Sequence, residues 1–67
     1  MEELIKKHSD LQQLIDKTIM EIGQKYSIYV VTKDKSLIEK INGKVELCHK
    51  LEKQMQIVEE EMIKINN

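Results

Sequence analysis

The chain contains no arginine, proline, alanine, phenylalanine or tryptophan, and only two glycines and one cysteine among its 67 residues. Each absence closes a route. Without arginine there is no bidentate fork for guanine edges, the contact on which most sequence-specific DNA readers depend. A lone Cys48 excludes a disulfide framework and, with no secretory leader in view, points to a reducing, cytoplasmic setting. No long uncharged apolar run is present, so no membrane-spanning helix is expected. A chain this short forms one domain, 1–67, and has little interior in which to enclose an enzyme's pocket.

What is present is a mixture of apolar and charged residues, 40% and 34% of the chain, with a formal net charge of −1. That small value conceals a pattern. Residues 1–24 hold five acids against three lysines (−2), residues 25–44 five lysines against two acids (+3), and residues 45–67 five acids against three lysines (−2).

Apolar residues recur with helical spacing at both ends. Leu4, Leu11, Ile15 and Ile22, with His8 and Thr18 in the intervening places, follow a 4,3,4,3,4 pattern. This is a heptad seam, and Glu2 and Glu3 suit a helix N-terminus. The last third carries Ile38, Ile41, Val45, Cys48, Leu51, Met55, Val58, Met62 and Ile65, spaced 3,4,3,3,4,3,4,3. The doubled 3 at Cys48 is expected to alter the winding there. Ser36 followed by Glu39 has capping-box spacing, so the second helix is expected over about 36–65.

The middle admits two readings. Ser27 to Thr32 is uncharged and β-prone, so the first helix could end near 22 at Gly23 and leave 23–35 irregular or strand-like. Tyr26 and Tyr29 instead continue the apolar face, giving a helix over about 2–32 and a Lys33-Asp34-Lys35 tip. Equal arms with a short polar tip predict an all-α, coiled-coil-like antiparallel helical hairpin. With the tip centred between Asp34 and Lys35, Tyr26 lies near Gly43 and His8 opposite Glu61. A ring over a glycine would account for Asn42-Gly43, which otherwise reads as a break in the second helix. Left uncovered, 27–32 is also an aggregation hazard.

Candidate chemistry is sparse. Cys48-His49 is the only pair suggestive of a metal or thiol site, but His8 would lie roughly 20 Å away along the helix. Cys48 is expected in the core, and no metal, cofactor or catalytic residue is assigned. Ser9 and His8 are helix neighbours that point apart. The chain is therefore expected not to be an enzyme. The overall plan resembles several small helical hairpins, among them secretion co-chaperones, plasmid copy-control proteins and short sporulation phosphatases. Ser9-Asp10-Leu11-Gln12-Gln13-Leu14 does not supply the Ser-Gln-Glu-Leu-Asp run of the last group.

The apolar stripe is wider than a two-helix seam needs. Ile5, Leu14 and Ile19, with Leu47, Ile57 and Ile63, leave surface that one hairpin does not cover, and a three- or four-helix bundle would cover it. The expected function is protein–protein interaction as adaptor, chaperone or regulator. The partner is another protein or a second copy in a homodimer, with no membrane involved. The candidate partner-binding residues are Leu11, Ile15, Ile22, Leu51, Met55, Val58 and Met62. The alternative is a nucleic-acid-binding module of a dimer, with Lys33, Lys35, Lys40 and Lys44 as candidate electrostatic contacts.

Overall fold

The structure, a computed structural model, describes residues 2–66. Two helices account for nearly all of it: α1 over Glu2–Thr32 and α2 over Lys35–Asn66. They lie side by side as an antiparallel helical hairpin with extents of 51 × 14 × 13 Å. A helix of 31 residues is about 46 Å long at 1.5 Å per residue, so each arm runs the full length of the rod.

The middle of the chain is helical, not extended. Nothing in 23–32 breaks the i to i−4 ladder, since there is no proline and β-branched residues only mildly disfavour helix. Hydroxyls in and near this stretch bond back onto the helix. Thr18 Oγ1 donates to the Leu14 carbonyl at 2.7 Å, Ser27 Oγ to Gly23 at 3.0 Å, and Thr32 Oγ1 to Ile28 at 2.9 Å. Packing in 27–32 is thin: Tyr29 is half-buried, whereas Ile28, Val30 and Val31 are exposed. Asn42-Gly43 does not interrupt α2 either.

The tip departs from the sequence expectation by one turn element. Lys33 adopts φ 59°, and its N–H reaches the Tyr29 carbonyl at 2.7 Å, closing α1 with a left-handed residue. Asp34, not Ser36, caps α2. Its Oδ1 accepts from the Ser36 N–H at 3.0 Å and from the Ser36 hydroxyl at 2.8 Å. The turn is therefore Lys33-Asp34, and Lys35 is already helical. The Ser36/Glu39 box is superseded because Asp34 reaches the same orphan amide first.

These bonds from Ser36, the side-chain one foremost, hold the Asp34 carboxyl below the usual carboxylate range. A lowered folded value stabilises the hairpin above that range and loses its contribution as pH falls through it. Asp34→Ala is expected to lower the melting temperature by a few degrees at neutral pH. The gap between wild type and variant should close in acid, and a gap that persists at low pH would show that the carboxylate is not the cap.

Moving the tip moves the register by two residues. His8 Nε2 meets Glu59 Oε1 at 3.2 Å, not Glu61, and Lys44 reaches Glu21. Tyr26 consequently does not sit over Gly43. Tyr26 is exposed, 6.5 Å from the Tyr29 ring, and a Cβ at Gly43 would meet nothing within 4 Å.

Candidate interaction surface

The seam between the helices is built from one row on each. On α1, Leu11, Ile15 and Thr18 are buried, with Leu4, His8, Ile22, Lys25 and Tyr29 half-buried in the same row. On α2, Cys48, Leu51, Met55 and Val58 are buried, and Leu37, Ile41, Lys44 and Met62 continue the row. Both rows keep the alternating 4,3 spacing from end to end. The doubled 3 at Cys48 is thus not a feature of the fold. Lys44 takes the seam place that the apolar spacing gives to Val45, and Ile38 and Val45 fall outside it, each 37% exposed. A lysine fits there because its stem packs while its ammonium reaches Glu21 at the edge. The Lys44 bond is also the main reason the Glu21 carboxyl is held below its usual range. An apolar-only count passes over Lys25 and Lys44; carrying the spacing through charged residues would have found both.

Of the seven residues picked out for partner binding, Leu11, Ile15, Leu51, Met55 and Val58 are buried against the opposite arm. Ile22 and Met62 are half-buried, Met62 against the same core. These side chains hold the hairpin together. The surface open to another molecule is made by the flanking residues Ile5, Leu14, Ile19, Leu47, Ile57 and Ile63, all between 44 and 60% exposed.

The flanks form two different faces, each with an open cleft. One face carries Leu14, Glu21 and Ile28 of α1 at heptad intervals, beside Lys40, Leu47 and Gln54 of α2. Its cleft is lined by Lys25, Lys40, Gly43, Lys44 and Leu47. The other face carries Ile5, Gln12, Ile19 and Tyr26 beside Ile38, Val45, Glu52 and Glu59. Its cleft includes Gln12, Glu52, Gln56 and Glu59 above the seam residues Ile15 and Met55. One cleft is therefore cationic and near the tip, the other acidic and nearer the open end. Of the candidate electrostatic residues, Lys40 and Lys44 meet in the first cleft, while Lys33 and Lys35 are exposed at the tip.

Cys48 and His49 do not act together. Cys48 is buried in the seam with Sγ 3.8 Å from Glu52 Oε1, and His49 is exposed. Burial, and then the neighbouring Glu52 charge, push the Cys48 thiol up. Its reaction with a thiol reagent at neutral pH is expected to be slower in the folded chain than in urea, by on the order of tenfold or more. Equal rates would place Cys48 outside the seam. Among the described residues, no group of three or more His, Cys, Asp or Glu could hold a metal ion, and no buried side-chain N or O lacks a hydrogen-bond partner. Among the same residues, no helix is long and apolar enough to cross a membrane.

Comparison with family models, with curated proteins and with solved structures finds no match to this chain.

Proposed function

We propose that the chain is a small protein–protein interaction module that binds other helices through its flanks, in an adaptor, chaperone or regulatory role. One observation carries this. Among the described residues, six hydrophobic ones are buried in the hairpin, whereas fourteen large ones remain exposed, most of them in rows beside the seam. Rows of exposed Ile and Leu on both helices, interspersed with charge, are what a helix-binding face looks like. The seam residues Leu11, Ile15, Leu51, Met55 and Val58 support that face from beneath. Ile22 and Met62 reach its edge. The buried, unpaired Cys48 suits a reducing, cytosolic compartment. The activity in this reading is binding.

Nucleic-acid binding would rest on the lysines of the tip. With Lys44 drawn to Glu21, Lys33, Lys35 and Lys40 are few for an affinity that grows with phosphate contacts, which favours the protein-binding reading.

Photo-crosslinking in the native host tests the function. A photoreactive residue at Leu14 or Ile19 should give adducts with protein, a second copy included, well above those from Gln13 or Lys53. Those two positions lie on the exposed outer surface away from both flanks. Equal yields from all four positions would remove the proposal.

A further inference from the structure

The two flanks differ, and the difference identifies an occupant for one of them. Resting on the interaction reading above, we propose that the Leu14/Leu47 flank binds a second copy of this chain. The two copies lie antiparallel, so that the tip of each hairpin covers the open end of the other.

Charge sets the direction. The tip segment 25–44 is +3 and each arm segment is −2. Two hairpins aligned tip to tip would place Lys25 and Lys40 of one cleft against the same lysines of the other. Turned end for end, each lysine-lined cleft instead faces the open end of its partner, where this flank carries Glu3, Asp10 and Glu61 against Lys7 and Lys64.

Shape and register set the contact. Gly43 leaves a gap in the row of α2, with no atom within 4 Å of where its Cβ would stand, and this gap lies in the cleft beside Lys40 and Leu47. The His8–Glu59 pairing puts Gly43 level with Gln24 and Ile57 level with Asp10. These levels are equally far from the midpoint of the rod, near Lys17 and Lys50. A two-fold axis through that midpoint lays α2 along α2 of the second copy. Ile57, 56% exposed, then fills the Gly43 gap of the second copy, and Glu61 stands beside its Lys40. Both contacts occur twice, as a self-complementary interface requires. Leu14 and Leu47 flank the axis and close the centre. The arrangement brings Lys50 near its own symmetry mate, at the exposed edge where solvent screens it.

The opposite flank does not offer this. Its acidic cleft of Gln12, Glu52, Gln56 and Glu59 lies toward the open end, and Ile19, Tyr26, Ile38 and Val45 lie toward the tip, so the same rotation would set carboxylates against apolar side chains.

Sedimentation equilibrium at micromolar concentration, on the full chain, tests the proposal. Wild type should be a dimer that weakens with salt. Gly43→Leu fills the gap without touching the rest of the fold, and should weaken the dimer at least tenfold while the chain stays helical. Ile19→Asp, on the other flank, should leave the dimer intact. A spin label at Lys40→Cys in a Cys48→Ala background reports direction. Twenty residue levels at 1.5 Å each separate the two labels by roughly 30 Å in the antiparallel dimer, and they come much closer if the copies are aligned tip to tip. A short distance overturns the antiparallel arrangement, and a dimer indifferent to Gly43→Leu overturns the choice of flank. A monomeric wild type overturns self-association but leaves the interaction reading to the crosslinking test, where adducts with another protein from Leu14 would sustain it.

Discussion

Val58→Asp is expected to unfold the hairpin. Among the described residues Val58 is the most buried side chain, 2% exposed, in a core with five other buried hydrophobic members. The change removes about 2 kcal/mol of apolar burial and buries a carboxylate in the seam. The combined cost is about 3–5 kcal/mol. Sixty-seven residues at about 0.05–0.15 kcal/mol each give a total stability of roughly 3–10 kcal/mol, so the loss consumes much or all of it. The neighbouring Ile57 is the control. At 56% exposed it faces away from α1, and Ile57→Asp should leave the helical circular dichroism signal in place. If both variants unfold to the same extent, the seam is misplaced by one residue.

The glycines give the largest expected gain. Both Gly23 and Gly43 lie inside helices, neither has positive φ, and an added Cβ meets nothing within 4 Å at either position. A helix-interior glycine is about 0.5–1 kcal/mol less favourable than alanine, mostly through the entropy of the unfolded chain. The sites share no neighbour, so their effects should add. Gly23→Ala with Gly43→Ala is expected to raise stability by about 1–2 kcal/mol. At about 4–8 °C per kcal/mol the melting temperature should rise by roughly 10 °C in dilute solution. No gain from Gly23→Ala would mean that its backbone is more restricted than the open space around it implies.

The arms of the hairpin were legible because the seam repeats. From Leu4 to Ile22 and from Cys48 to Met62, the apolar spacing alone picks out the rows that meet. The flank residues Ile5, Leu14, Ile19, Leu47, Ile57 and Ile63 were legible as surplus, and each one is exposed. What was misread lies nearer the tip, where the apolar pattern gives way to lysine. Lys25 and Lys44 occupy seam positions that hydrophobicity does not mark, so the apolar spacing points to Val45 instead and to a break at Cys48. The choice between Ser36 and Asp34 as cap turned on two residues of similar capping strength, and it carried the register with it. That is why His8 meets Glu59 and why Tyr26 misses Gly43. The cationic cleft could not be read from a linear pattern, because it joins Lys25 of one arm to Lys40 and Gly43 of the other.

The central claim is a division of labour: one row on each helix folds the hairpin, and the rows beside it bind. The most direct test compares two double variants on the same stretch of α1, Leu11→Asp with Ile15→Asp and Leu14→Asp with Ile19→Asp, by far-ultraviolet circular dichroism in the cold. Each introduces two carboxylates in place of two large aliphatic side chains, and only the face differs. The first pair should abolish the helical signal and the second should retain it. Equal loss from both pairs, or equal retention, would contradict the separation of seam from flank.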